Sequence, residues 1–208
     1  MGLFNSRTVM TAVLLLSGGL DSAVLLGHIL SLGKRCLALS FDYGQRHKQE
    51  LISAKKIAAH YSVEHFLIHI DPLLFSSARS SLTNFTLTVD PENAYVPARN
   101  LLFLAHAISF AESQNIAEIY IGANAEDIHN FPDCSRAFFD SLEAAVHLGI
   151  KNGKSFSILT PLSRFSKKEI INLGKQLSVP IELTFSCYDP NRGNPCGICH
   201  ACVLRNKI

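Results

Sequence analysis

No apolar run in this chain reaches the roughly 18 to 20 residues that a membrane-spanning helix needs. The longest one near the start, residues 9–16, passes directly into a turn containing Gly18 and Gly19, so it reads as a buried strand rather than a membrane or signal segment. An excess of charge is missing too: 19 Lys and Arg against 17 Asp and Glu leave a formal +2, which announces no nucleic-acid-binding face. There are no internal repeats or low-complexity stretches, and 48% apolar against 17% charged residues exclude disorder for most of the length. Two nucleotide signatures are also wanting. No G-x-G-x-x-G follows the first strand, which removes the dinucleotide-binding fingerprint. Gly149, Gly153, Lys154 and Ser155 approach a Walker A loop but are one residue short of its spacing and follow a helical pattern, so they read as a helix end and a turn. With no export signal, the expected compartment is the cytosol, with no membrane partner.

What is present is an α/β rhythm. In 208 residues there is room for one full core and a small appendage. Apolar runs and helical periodicity predict a strand at 9–16, a helix at 21–32, a strand at 35–41, a helix at 48–61 and a strand at 63–70. The pattern resumes with a helix opening near Pro97 and running to 113, a strand at 117–121, a helix at 135–148 and another beginning at Ser166, where Ser166 and Glu169 have capping-box spacing. Such alternation predicts a parallel sheet with helices on both faces. Residues 71–95 lose all periodicity and are expected to form a lid or insertion. A loop-rich tail starts near Val179, which divides the chain into a body, 1–178, and a C-terminal segment, 179–208.

The first strand ends in SGGLDS, Ser17 to Ser22, followed by good helix formers. Glycines in a strand-to-helix turn let backbone N–H groups close around a phosphate, and the helix dipole favours its charge. The competing reading is an ordinary helix N-terminus capped by a polar side chain. At the other end, Cys187, Cys196, Cys199 and Cys202 are spaced C-x8-C-x2-C-x2-C, a pattern that closes a tetrahedral metal site; with four thiolates and no open position the metal is structural, with zinc favoured over an iron–sulfur cluster. His200 is an alternative ligand. Pinned by that metal, the C-terminal loop is expected to form one wall of the active site.

SGGLDS resembles the pyrophosphate-binding loop of the PP-loop ATPases, which share an adenine-nucleotide alpha-hydrolase-like fold. The resemblance implies ATP contacts over Leu16, Ser17, Gly18, Gly19, Leu20, Asp21, Ser22, Ala23, Val24, Leu25 and Leu26. Within it Ser17, Gly18, Gly19 and Ser22 hold phosphate, and Asp21 caps the helix or helps place Mg2+. Taken together, SGGLDS, FDYGQRH (41–47), VPARNLLFLA (96–105), FPDC (131–134), TPLSRFSK (160–167) and the cysteine knuckle resemble the 7-cyano-7-deazaguanine synthases of queuosine biosynthesis.

That family resemblance implies a ligase using ATP, Mg2+ and ammonia on 7-carboxy-7-deazaguanine, a structural Zn2+ and a homodimer without direct nucleic-acid contact. Its expected catalytic residues are Asp21, Ser22, Lys167 and Arg99. Its expected substrate contacts are Tyr43, Arg46, Arg99, Asn100, Asp127 and Asp133, with the two aspartates as acceptors for the N–H edge of the base. The chain departs from the family pattern at Ala98, where Gly is usual, and at Ile128 and Asn130, where an aromatic and Gly are usual. Two other readings stay open at this level: a different PP-loop adenylating enzyme, and a non-catalytic zinc-knuckle nucleic-acid binder.

Overall fold

The computed structural model describes residues 10–87, 93–151, 153–187, 190, 193–199 and 202–203. Five strands, β1 (Thr11–Leu15), β2 (Arg35–Asp42), β3 (Glu64–His69), β4 (Glu118–Tyr120) and β5 (Ser157–Leu159), form one sheet in the order β3-β2-β1-β4-β5. Every pairing is parallel, with Val13 opposite both Leu37 on β2 and Ile119 on β4. The helices are α1 (Leu20–Ser31), α2 (Gln49–His60), α3 (Arg99–Ser113), α4 (Arg136–Gly149) and α5 (Lys167–Gln176).

Successive side chains of a strand point to opposite faces, and β1 shows what each face buries. Val13 and Leu15 join Leu104, Ile108, Phe139 and Val146 of α3 and α4 in one core. Ala12, Leu14 and Leu16 join α1, α2 and Ile170 of α5 in the other. Both faces of β1 are therefore dry, which is why its sequence is an unbroken apolar run rather than an alternation. Helix α1 is likewise apolar on nearly every side, and Ala23, Val24, Leu25, Leu26 and Ile29 have no exposed surface. Helix α5 starts with the expected capping box: the Ser166 hydroxyl accepts from Glu169 N–H and the Glu169 carboxylate accepts from Ser166 N–H.

The predicted elements all occur with boundaries shifted by a residue or two, but β5 has no counterpart among the expectations. Its three residues, Ser-Ile-Leu, are too few to show a period and are recognisable only by their register with Glu118–Tyr120. The excursion at 71–95 also differs from a free lid. It contains a short 3-10 turn, Pro72–Phe75, and the buried residues Phe75, Ser80, Ser81 and Ala94, so its described part is packed on the body.

Strand order reverses between β1 and β4: the chain lays down β2 and β3 on one side of β1, then returns to place β4 and β5 on the other. Loops leaving the carboxyl ends of two adjacent strands diverge there, and this is where open α/β sheets leave a crevice.

Candidate active site

The crevice is a cavity of about 720 Å³ lined from both sides of the reversal. From the β1 side come Leu16, Ser17, Gly19, Leu20, Asp21 and Ser22. The turn is tied internally, with Ser17 Oγ and Ser22 Oγ 3.0 Å apart, Gly19 N–H donating to Ser17 Oγ at 3.2 Å and Ser22 Oγ donating to Gly19 O at 3.1 Å. Ala23 N–H is the first to donate to a carbonyl behind it, that of Gly19, so the N–H groups of the preceding first turn are left for a ligand.

Gly18 does not line the cavity but decides where the loop sits. It adopts φ +90°, and a Cβ placed on it would lie 2.0 Å from the carbonyl oxygen of Glu50 on α2. Only glycine fits, because both the backbone conformation and the approach to α2 exclude a side chain. Its carbonyl accepts from Phe185 N–H at 2.9 Å, which joins the phosphate loop to the C-terminal segment.

Asp21 does not cap α1. The N-cap is Gly19, without a side-chain hydrogen bond, and the Asp21 carboxylate instead receives both Lys167 Nζ, at 2.7 and 2.8 Å, and Asn124 Nδ2 at 2.8 Å. Three chain-distant elements, α1, the loop after β4 and α5, thus converge on one carboxylate. Asp127 faces the same group. Burial, and next the charge of Asp21, raise its pKa above the usual carboxylate value, against the pull of the Asn124 N–H, Lys167 and Arg99. Glu126 accepts from Lys167 N–H at 3.0 Å and holds the start of α5 in register.

The opposite wall comes from FDYGQRH. Gln45 closes its own turn, accepting from Tyr43 N–H and donating to Phe41 O. Gly44 has φ +80° and lies against Pro72, 2.6 Å from where its Cβ would be. Asp42 accepts from Lys48 Nζ and Gly44 N–H. These three residues shape the turn, and Tyr43, Gln45, Arg46 and His47 line the cavity. Arg99 donates to the Tyr43 hydroxyl at 3.2 Å and lies 5.9 Å from the centre of its ring. Burial alone would lower the Arg99 pKa, but Tyr43, Asp133 and Glu50 together raise it, so the guanidinium stays charged. Arg46 spends its fork on the carbonyls of Asn84 and Leu87, at 2.8 and 2.7 Å, and anchors the 71–95 excursion while still facing the cavity.

Several sequence-predicted contacts fall elsewhere. Ala23, Val24, Leu25 and Leu26 are core residues of α1 with no accessible surface, since only the first turn of a helix meets a ligand at its N-terminus. Asp133 is not a lining residue. Its Oδ2 accepts from Asn100 N–H at 2.9 Å, capping α3, whose N-cap Ala98 supplies no side-chain bond. Asn100 does reach the cavity, with its amide donating to Asp133 O and Cys134 Sγ. Burial drives the Cys134 thiol up to about 12, which disfavours the thiolate and fits a packed cysteine. Leu16, Asp127, Arg99 and Lys167 all line the cavity.

Lining residues that escaped the sequence reading include the polar side chains of Asn124, Glu126 and Glu50. Asn124 is in no motif and is marked only by following β4. Glu50 sits in the first turn of α2, and burial raises its pKa to about 7, with Arg99 opposing.

The C-terminal wall is made by Thr184, Ser186 and Cys187. The sulfurs of Cys187, Cys196, Cys199 and Cys202 all lie within 4.8 Å of one another, with Cys196–Cys202 and Cys187–Cys199 at 3.9 Å. Four thiolates at roughly 2.3 Å from a central Zn2+ stand about 3.8 Å apart, so the cluster matches a tetrahedral site. Cys196 N–H points at Cys187 Sγ and Cys199 N–H at Cys196 Sγ. Backbone N–H groups of this kind pull the Cys196 thiol down to about 7 and favour the thiolate that metal binding requires. The alternative ligand His200 lies outside the described residues.

Comparison with known proteins adds three findings. The family model described as queuosine biosynthesis protein QueC matches residues 11–208. A 7-cyano-7-deazaguanine synthase of Leptospira interrogans serovar copenhageni is 48% identical over 98% of this chain and 89% of its own length. One from Thermoplasma acidophilum is 43% identical over 94% of this chain and 86% of its own. Among solved structures, an NMN synthetase from Francisella tularensis superposes with TM-score 0.56 at 21% identity, over 91% of this chain and 71% of that one. A 4-thiouridine synthetase in complex with RNA and bound ATP gives 0.54 at 21%, over 95% of this chain and 49% of the other. The likeness to these structures is one of fold.

Proposed function

The chain belongs to the family of queuosine biosynthesis protein QueC, and from that membership we propose that it is an ATP-dependent carbon–nitrogen ligase converting 7-carboxy-7-deazaguanine and ammonia to 7-cyano-7-deazaguanine. The observation that carries this reading is a single cavity in which a phosphate-binding turn, Ser17 to Ser22, faces a buried guanidinium, Arg99, with Lys167 and Asp21 between the loops.

Making a nitrile from a carboxylate removes both oxygens, and each is a poor leaving group. ATP supplies the remedy. A carboxylate oxygen attacks the α-phosphorus and pyrophosphate leaves; ammonia then attacks the carbon, loses a proton and expels AMP, giving the amide. A second ATP activates the amide oxygen in the same way, and loss of the remaining N–H protons with AMP leaves the nitrile. In this scheme Ser17, Gly19 and Ser22 hold the leaving pyrophosphate through hydroxyl and N–H groups. Lys167 neutralises phosphate charge, and Arg99 orients the substrate carboxylate with a bidentate fork. Asp21 would help hold the Mg2+ of the nucleotide, which would offset the charge that develops on the phosphates. Zn2+ on the four cysteines is structural: it ties down the segment 179–208, whose Cys187 end closes the cavity of the nucleotide-binding body, 1–178. A homodimer in the cytosol completes the proposal.

The test is mass spectrometry of a reaction containing ATP, Mg2+, ammonium and 7-carboxy-7-deazaguanine, with Ser22→Ala as control. The nitrile, AMP and pyrophosphate are expected together from the wild type, with turnover lowered by about 100-fold in the variant, the scale of losing a preorganised anion donor. AMP without nitrile would leave the adenylation chemistry and remove the substrate assignment.

A further inference from the structure

We propose that Glu50 is the residue that reads the guanine-like edge of the substrate base, accepting N–H hydrogen bonds from the ring N–H and the exocyclic 2-amino group. The inference rests on the reading of the base given above. Recognising that edge takes a carboxylate with both oxygens available, because both groups at the edge are donors and a carboxylate offers only acceptors.

Besides Asp133, four carboxylates line the cavity, Asp21, Glu50, Glu126 and Asp127; Asp21 already accepts from Lys167 and Asn124, and Glu126 from Lys167 N–H. Asp133 caps α3 through Asn100 N–H and does not face the cavity. Asp127 does face it, but one oxygen already accepts from Asn124 N–H, and its carboxyl feels Asp21, Lys167 and Arg99 together. Glu50 lines the cavity and has no hydrogen bond or ion pair among the described residues.

The position of Glu50 suits the assignment. It lies in the first turn of α2, where the backbone packs against Gly18 of the phosphate loop, and the nearby Arg99 and Tyr43 are on the same wall. A base held there would present its donor edge to Glu50 while Arg99 takes the opposite, oxygen-bearing side or the 7-carboxylate. Arg46 and His47 reach the cavity from the loop after β2, and Cys187 does so from the C-terminal wall. Burial pushes the Glu50 carboxyl up to about 7 with Arg99 opposing, and two N–H donors from the base would favour its ionised, acceptor-only form.

The discriminating probe is the 2-amino group. Calorimetric titration of 7-deazaguanine and 7-deazahypoxanthine, which differ only in that group, into the zinc-loaded protein is expected to show a preference of about 10- to 100-fold for 7-deazaguanine, the scale of a hydrogen bond to a charged acceptor. Glu50→Gln should abolish that preference with ATP affinity and melting temperature retained, and Glu50→Asp should keep its direction at lower affinity. An equal loss of both bases in Glu50→Gln, an unchanged preference, or an effect on ATP instead would overturn the assignment. Failure of nitrile formation in a wild type that still prefers 7-deazaguanine would count against the proposed reaction and not against Glu50.

Discussion

Ala98 is one of four non-glycine residues at positive φ among the described residues. It holds the N-cap position of α3 with φ 51° and ψ 27°, a left-handed conformation that costs an L-residue with a Cβ roughly 1–2 kcal/mol. Glycine carries no such penalty, and Asp133 takes over the capping that Ala98 has no side chain to perform. Ala98→Gly is therefore expected to stabilise the fold by about 1 kcal/mol, net of the freedom glycine adds to the unfolded chain. Urea denaturation measures this; a destabilised variant would contradict it. Within FDYGQRH the family resemblance singles out Tyr43 and Arg46, and both line the cavity, together with Gln45 and His47. Asp42, Gly44 and Gln45 are engaged in the turn itself, through hydrogen bonds that spacing does not reveal.

At the scale of elements, the phosphate loop depends on how α1 and α2 meet. Gly18 lets the loop press directly on the α2 backbone, and Phe185 N–H holds the loop from its other side. A methyl group at that position collides with Glu50 O and strains a positive φ, so Gly18→Ala is expected to lose about 2 kcal/mol or more of stability and at least tenfold in ATP affinity. A thermal melt and an ATP titration read the two effects, and an unchanged titration would show that the loop can retreat without cost. Strand-to-helix order and the capping box at Ser166 were legible because their signals are local, contained in periodicities and three-residue spacings. β5 was not, because a three-residue edge strand is defined by its neighbour.

For the whole molecule, the cysteine knuckle and the catalytic crevice are one assembly. Cys187 is both a sulfur of the cluster and a cavity wall, and Phe185, two residues earlier, bonds to the phosphate loop. Removing the metal with a strong chelator should therefore lower ATP affinity as well as the melting temperature, and re-addition of Zn2+ should restore both. Native mass spectrometry should find one Zn2+ per chain. Loss of zinc with ATP binding intact would mean that the segment holds its place without the metal.

The sequence by itself determined the alternating α/β order, the SGGLDS turn and the grouping of four cysteines, because each is encoded within a short stretch whose physics is nearly independent of the rest of the chain. Only the tertiary structure decided which polar side chains work at the site. Asp21 meets Lys167 across 146 positions, Asp133 turns away to cap α3, and Glu50 faces the cavity with no hydrogen-bond partner among the described residues. A carboxylate's role is set by which donors reach it, and those donors come from loops that the strand reversal between β1 and β4 brings together.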